Sequence, residues 1–106
     1  MTSIKLFRPE TFRGSFDADE NVNRSLVFDL TVRDGDYSNE EWCELFFHAT
    51  NAPEELVRDH ATCYLIRTYW KQAAHRDKLY TPSTGDVVEV NGTSYLCEPV
   101  GWKKLK

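Results

Sequence analysis

The stretch that decides the fold is Gly85-Asp86-Val87-Val88-Glu89-Val90-Asn91-Gly92-Thr93-Ser94-Tyr95-Leu96-Cys97, near the end of a chain of 106 residues. Apolar residues lie on both sides of Asn91-Gly92, and Asn-Gly is the strongest short signal for a two-residue turn between antiparallel strands. The sequence therefore predicts a C-terminal β-hairpin. Pro99 and Gly101 bend the chain after it and leave room for a brief last strand that ends at Leu105.

Two more strands are predicted near the start of the chain. Every second residue from Leu26 to Val32 is a leucine, phenylalanine or valine, which is the period of a strand with one buried face. Ile4-Lys5-Leu6-Phe7 is a short apolar run that stops at Pro9. We expect it to be an edge strand, since proline cannot donate a hydrogen bond to a neighbouring strand, and an edge strand can pair with a copy of itself.

A first long helix is predicted to begin at Ser38. Ser38 and Glu41 have the spacing of a capping box, and Tyr37 and Trp42 have the spacing of a hydrophobic staple. The helix ends near Asn51, because the residue before a proline is pushed out of the helical region. Its expected buried stripe consists of Trp42, Leu45, Phe46 and Ala49.

A short helical turn starting at Pro53 and a second long helix follow. Proline is favoured at the first position of a helix, and the long helix is expected over about residues 59–74. We expect the charged Arg67 and Lys71 to lie away from its core-facing stripe. That stripe is predicted to hold Ala61, Tyr64, Leu65, Tyr69 and Ala73, with Trp70 beside them.

The order of these elements predicts the fold class. Strands at both ends of the chain with helices between them, and no repeat or linker, favour a single α+β domain over residues 1–106. We expect a small, mostly antiparallel sheet of four to five strands that includes the C-terminal hairpin. Two main helices are expected to pack on one face of this sheet.

Composition and charge narrow the class of protein. Hydrophobic residues make up 41% of the chain, and no stretch reaches the roughly 18–20 apolar residues of a membrane span. The net charge of −4 argues against a dedicated nucleic-acid binder, although residues 1–57 carry −7 and residues 58–106 carry +3. Three cysteines without paired spacing, and no apolar signal segment, lead us to expect reduced thiols and a cytoplasmic protein.

The C-terminal stretch also resembles a known family. Its pattern is Ser-x-Gly-Asp-Val-Val-x-Val-x-Gly-x-x-Tyr-x-Cys-x-x-x-Gly-Trp, which this chain matches from Ser83 to Trp102. The pattern is similar to the tail of small uncharacterised proteins of actinobacteria and their phages, with a related form in YodL-like domains. The commoner members have Ser-Leu-Ser or Ser-Met-Ser before the Gly-Asp, where this chain has Thr81-Pro82-Ser83. The resemblance implies an accessory protein of a phage or other mobile element, and it brings no catalytic residue.

Three patterns resemble chemical sites but lack residues that define them. Asp17-x-Asp19-x-Asn21-x-Asn23 begins like a calcium loop, but Val22 stands where that loop needs glycine and Phe28 where it needs a bidentate glutamate. His60 and Cys63 have the spacing to chelate zinc or to form a nucleophile and its base. No further ligand pair, oxyanion-hole loop or third orienting residue accompanies them. We therefore expect no metal, no cofactor and no enzymatic activity.

The leading hypothesis is therefore a protein that binds a host or phage protein. Its sharper form is an inhibitor of a host nucleic-acid or defence complex, whose basic groove would meet an acidic face made of Asp17, Asp19, Glu20, Asp34, Asp36, Glu40, Glu41 and Glu44. The alternative is a nucleic-acid-binding accessory protein, in which basic side chains of the second helix contact phosphates. That set is Arg67, Lys71, Arg76 and Lys78.

Overall fold

The computed structural model of the protein describes residues 1–9, 22–33 and 35–105. These residues form an α+β fold with a five-stranded antiparallel sheet, a C-terminal hairpin and two long helices, so the predicted fold class is confirmed. The chain divides into two compact units, one of Met1–Cys43 with Ser83–Lys106 and one of Glu44–Pro82. In chain order the elements are β1 (Thr2–Pro9), β2 (Arg24–Val32), α1 (Asn39–Asn51), α2 (Glu54–Val57), α3 (Ala61–Asp77), β3 (Val87–Val90), β4 (Thr93–Cys97) and β5 (Trp102–Lys104).

The first unit contains the whole sheet, whose strand order is β2-β1-β3-β4-β5. The prediction that residues 4–7 form an edge strand is wrong, because β1 pairs with β2 on one side and with β3 on the other. Pro9 is compatible with this central place because it is the last residue of β1 and lies beyond the part that pairs with β3. A missing N–H at the end of a strand disturbs little of the ladder.

The predicted hairpin connects β3 and β4. Asn91 and Gly92 both have positive φ, at 49° and 88°, as a two-residue turn with the twist of the flanking strands requires. Asn91 also fastens the turn to β1. Its side-chain oxygen accepts from the Ser3 amide at 2.8 Å, and its own amide donates to the Ser3 carbonyl at 3.0 Å.

One face of the sheet carries most of the buried side chains of this unit. Ile4 and Leu6 of β1 are completely buried and lie opposite Val90 and Val88 of β3, which are buried as completely. Because side chains in a strand alternate between faces, Lys5 lies on the other face and is only partly covered. The alternation predicted for β2 holds over its second half, where its buried residues are Phe28, Leu30 and Val32.

A buried ion pair continues this apolar face at one end of the sheet. Phe7 pairs with Val87, so the next step of the register places Arg8 opposite Asp86. The Arg8 guanidinium donates to the Asp86 carboxylate through Nε at 3.2 Å and Nη2 at 2.8 Å, and the two side chains are only 7% and 3% exposed. Asp86 Oδ2 also accepts from the Ser83 amide at 3.1 Å. These charge-assisted bonds offset the loss of hydration of both charges.

The first unit also holds the start of α1, where the predicted capping box is confirmed. The Ser38 amide donates to Glu41 Oε1 at 2.9 Å, and the Glu41 amide donates to Ser38 Oγ at 3.2 Å. The predicted staple is present as well, since the rings of Tyr37 and Trp42 meet edge to face with centroids 4.9 Å apart. These contacts satisfy backbone donors that a helix start otherwise leaves unpaired.

The second unit contains α2, α3 and the rest of α1. The face of α3 that is buried differs from the face that was predicted to be buried. The buried residues of α3 are Cys63, Ile66, Trp70 and Ala73. Four of the five members of the predicted buried stripe are instead exposed: Ala61, and the large side chains of Tyr64 at 47%, Leu65 at 42% and Tyr69 at 48%. The prediction was wrong because α3 has apolar residues at helical spacing on two faces, and periodicity alone does not choose between them.

Two contacts within the second unit fix the rotation of α3. The Trp70 ring packs edge to face against Phe46, with centroids 6.2 Å apart. Arg67 follows Cys63 by one turn, and its guanidinium donates to the carbonyls of Ala49, at 3.2 Å, and Ala52. These carbonyls lie at the end of α1, where four carbonyls have no partner within the helix.

None of the helices in the described part of the chain is both long enough and apolar enough to cross a membrane.

We predict that breaking the Arg8–Asp86 pair strongly destabilises the fold. Asp86→Asn keeps the size of the side chain but leaves a buried guanidinium without its counter-charge, and we expect it to lower the free energy of unfolding by about 3 kcal/mol or more. Urea denaturation followed by circular dichroism measures the change. Asp77→Asn is the matched control, because it removes the exposed pair with Arg76 and should change stability little. Equal effects of the two substitutions would contradict the prediction.

Candidate functional site

The carboxylates predicted to form an acidic face are placed by the structure only in part. Asp17, Asp19, Glu20 and Asp34 lie outside the described residues, as does most of the run that resembles a calcium loop. Asp36, Glu40 and Glu41 are exposed in the first unit, and Glu44 is exposed in the second.

The exposed carboxylates of the first unit surround the start of α1. Glu40 and Glu41 occupy its first turn, where the N-terminal end of the helix dipole favours negative charge. Within residues 1–9, 22–33 and 35–105, no ion pair involves Asp36, Glu40 or Glu44. Glu41 differs from them, because its hydrogen bond from the Ser38 amide, followed by that with the Ser38 hydroxyl, lowers the pKa of its carboxyl. Glu41 therefore helps to hold the helix, while the others are available to a partner.

The basic residues of the alternative site are mostly engaged within the second unit. Arg67 is half-buried and donates to the end of α1. Lys71 Nζ lies 3.5 Å from a carboxylate oxygen of Glu54, and Arg76 lies 3.1 Å from that of Asp77. The hydrogen bond to Asp77, with its negative charge, raises the pKa of Arg76.

The geometry of α3 does not gather these four cations on one surface. Lys71 follows Arg67 by one turn, but Arg76 lies about two and a half turns beyond Arg67 and so on the opposite side of the helix. Lys78 ends the helix in a left-handed conformation, with φ 55° and ψ 49°. A phosphate backbone would meet these charges on different sides of α3 rather than along one stripe.

His60 and Cys63 are close, but their contact is structural. The backbone amide of Cys63 donates to His60 Nδ1 at 3.2 Å, which makes the imidazole the cap of α3. The Cys63 side chain is buried, and burial raises the pKa of its thiol. A raised pKa reduces the thiolate fraction, whereas a nucleophilic cysteine needs a lowered one. In the part of the chain that the structure describes, no group of three or more His, Cys, Asp or Glu residues is arranged to hold a metal ion.

Two features of the structure were not predicted from the sequence. One is the Arg8–Asp86 pair, for which the only signal is that Arg8 continues the alternation of Ile4 and Leu6 onto the buried face. The other is the exposed aromatic face of α3, which the sequence analysis placed in the core. The signal for its exposure was Arg67. Its guanidinium can reach the unpaired carbonyls at the end of α1 only when the side of α3 that carries Cys63 and Trp70 is buried.

Comparison of the chain with models of known protein families, with curated proteins and with solved structures gives no match. Function is therefore inferred from the residues and their environment, because a fold class alone does not indicate function.

We predict that Glu41 makes the stability of the fold depend on pH in acid. Its pKa is lowered in the folded protein, so its stabilising effect is fully present above the ordinary value near 4.5 and is lost as the pH falls through the lowered folded value. Glu41→Gln should therefore flatten the loss of stability below about pH 4.5, as thermal melts at a series of pH values would measure. The neighbouring change Glu40→Gln should leave the profile as it is; if it flattens the profile equally, the assignment to Glu41 is wrong.

A second prediction concerns the thiols. Cys43, Cys63 and Cys97 are all buried, so the folded protein should react slowly with a thiol reagent and the urea-unfolded protein quickly. Comparing the reaction rate of the folded Cys63→Ser variant with that of the natural sequence shows how much of the reaction is due to Cys63. A native thiol that reacts faster at neutral pH than the unfolded chain would indicate a lowered pKa and would revive a chemical role for the His60–Cys63 pair.

Proposed function

We propose that this protein is a small, non-enzymatic accessory protein that acts by binding another protein through exposed carboxylates near the start of α1. The partner surface that fits them is a basic groove, because complementary charges steer encounter and select orientation. Complexes that handle nucleic acids carry such grooves for the phosphate backbone. The proposed partner is therefore a host nucleic-acid or defence complex.

The observation that carries this proposal is a contrast between the two charged sets. Among the described residues, Asp36, Glu40 and Glu44 are exposed and form no ion pair. Of the basic set, Arg67 is held by carbonyl oxygens at the end of α1, and two others lie beside carboxylates. Nucleic-acid binding would have to remove Arg67 from backbone carbonyls that need a partner. Protein binding through the carboxylates breaks no contact of this kind.

Two further observations support the proposal. The only nucleophile–base pair that the sequence offered is occupied in capping α3, and its thiol has a raised pKa. The resemblance of residues 83–102 to small proteins of actinobacteria and their phages supports a phage or other mobile element as the source.

The proposal predicts capture of a protein that depends on the carboxylates. Tagged protein is incubated with nuclease-treated lysate of the host that carries the gene, washed at low and at high salt, and analysed by mass spectrometry. The double reversal Asp36→Lys/Glu40→Lys should abolish capture while lowering the melting temperature only slightly, since both residues are exposed and Glu40 loses only a weak interaction with the helix dipole. Glu41 is kept because it closes the capping box.

A matched double reversal elsewhere distinguishes a local surface from net charge. Asp29→Lys/Glu98→Lys changes the total charge equally but lies outside the proposed set, and it should retain capture. Equal capture by both double variants would refute the acidic site. Recovery of nucleic acid alone from untreated lysate, in an amount that falls steeply with salt, would favour the nucleic-acid alternative instead.

A further inference from the structure

β2 ends the sheet on one side, and its outer edge is open within the part of the chain that the structure describes. The strand order gives β2 a single neighbour, β1, and no other strand of residues 1–9, 22–33 and 35–105 pairs with it. The outer edge of such a strand presents a row of N–H and C=O groups that can pair with another chain. The sequence analysis expected this property of residues 4–7, and the structure gives it to β2 instead.

The hydrogen bonds of Ser3 show which backbone groups of β2 point outwards. The amide and the carbonyl of Ser3 both bond to Asn91, on the β3 side of β1. Backbone groups alternate in direction along a strand, so those of Ile4 point the other way, towards β2, where Ile4 is paired with Leu30. The N–H and C=O of Leu30 are therefore used within the sheet.

The outward groups belong to Asp29 and Thr31 and, by the same alternation, to Arg33, which directly follows β2. The three side chains are exposed, and they share one face of the sheet because side chains alternate between faces. Among the described residues, no segment outside the sheet bonds to the backbone of these three, and neither Asp29 nor Arg33 forms an ion pair. The edge therefore offers both backbone groups and opposite charges to a partner.

This part of β2 also lacks the features that usually protect an open edge. Lysines, prolines and bulges keep most edge strands from pairing with another chain. At the other end of the sheet, β5 carries the exposed Lys103 and Lys104. The bulge in β2 lies opposite Leu6 and Phe7, so residues 28–32 pair with β1 without a break, and they contain neither lysine nor proline.

We propose that this edge pairs with the same edge of a second copy of the chain, antiparallel about a two-fold axis at Thr31. With Thr31 opposite Thr31, Asp29 of each copy lies opposite Arg33 of the other, and opposite charges that face each other across two strands are stabilising. An axis at Asp29 would bring two carboxylates together, and an axis at Arg33 would bring two guanidinium groups together. An axis at Leu30 or Val32 would pair neither charge with its opposite.

The same register satisfies the outward backbone groups. Residues directly opposite each other in antiparallel strands either exchange both of their N–H···O bonds or exchange neither, and residues whose groups point across the gap exchange them. Thr31 therefore bonds to Thr31, and Asp29 bonds to Arg33, in both directions. Leu30 lies opposite Val32 between these pairs, and both are buried on the apolar face. The apolar face of one copy thus continues into that of the other.

A second copy is the partner that this pattern selects. A two-fold interface must be complementary to itself, and Asp29-x-Thr31-x-Arg33 meets this condition because its two charges stand equally far on either side of Thr31. A different protein would need a strand with the same charges at the same spacing. Each copy contributes one short strand edge, which buries less area than a standard interface, so we expect a dissociation constant of roughly 100 μM.

Sedimentation velocity of the full chain, at concentrations on either side of that constant, tests the proposal. The protein should shift from monomer towards twice the monomer mass as concentration rises. Asp29→Arg and Arg33→Asp each place like charges opposite each other at both ends of the interface, so each should weaken dimerisation about tenfold or more. Lys104→Glu is the matched control, because it also reverses one exposed charge, on the other edge strand, and should leave dimerisation as it is.

Restoring opposite charges tests the register itself. An equimolar mixture of Asp29→Arg and Arg33→Asp should form mixed dimers about as well as the natural sequence, because each charge then meets its opposite. The double variant Asp29→Arg/Arg33→Asp should dimerise with itself for the same reason. Circular dichroism melts show that each variant is folded.

Two further measurements test the pairing of the backbones. Thr31→Pro removes the outward N–H at the axis and no bond to β1, so it should abolish dimerisation and leave the protein folded. Amide hydrogen exchange of the natural sequence, followed by NMR, needs no substitution. Exchange at Asp29, Thr31 and Arg33 should slow severalfold as concentration rises, whereas exchange at Leu30 and Val32 should be slow throughout, because their amides bond to β1.

Several results would overturn the proposal. A natural sequence that stays monomeric over the whole concentration range rules out the second copy as partner. A dimer that survives Thr31→Pro lies on another surface, and single charge variants that dimerise normally exclude the register with Thr31 on the axis. If the monomeric protein captures a different protein from lysate and loses it in Thr31→Pro, the edge belongs to that partner.

Discussion

The sheet of the first unit depends on a pair of charges that are both removed from water. Arg8 and Asp86 are 78 positions apart in the chain, and each would be costly to bury without the other. Because the register of β1 on β3 brings them face to face, the pair is satisfied only when β1 lies beside β3 and in this alignment. A slip by one residue would turn Arg8 to the opposite face and bury Asp86 alone.

The same end of the sheet explains the order of residues in the C-terminal motif. The Gly85 amide donates to the Cys97 carbonyl, and the Cys97 amide donates to the Asp86 carbonyl, each at 2.9 Å, so β3 and β4 are joined up to the ion pair. Cys97 in turn pairs with Trp102 of β5. Aspartate, cysteine and tryptophan thus follow one another across the sheet as its structure requires. Their spacing therefore follows from the pairing of the strands.

The exposed side chains of α3 follow from contacts in the second unit. In the second unit, Arg67 binds the end of α1 and Trp70 packs on Phe46, and the rotation that these contacts impose turns Tyr64 and Tyr69 outwards. The chain therefore presents two kinds of surface, one of exposed carboxylates and one that is aromatic and neutral in its middle. The first is the surface for which a partner with a basic groove is proposed.

The sequence by itself determined the local features, because each is set by neighbours in the chain. Sequence alone was enough to predict the Asn91-Gly92 turn, the capping box of Ser38 and Glu41, and the alternation in the second half of β2. The α+β class followed from these elements. The exposure of the acidic residues near α1 could also be predicted from the sequence, because charged side chains seldom lose their hydration. The tertiary structure alone decided the central place of β1, the pairing of Arg8 with Asp86 and the rotation of α3. These depend on contacts between residues far apart in the chain, and where two faces of one helix are similarly apolar, only such contacts determine which is buried.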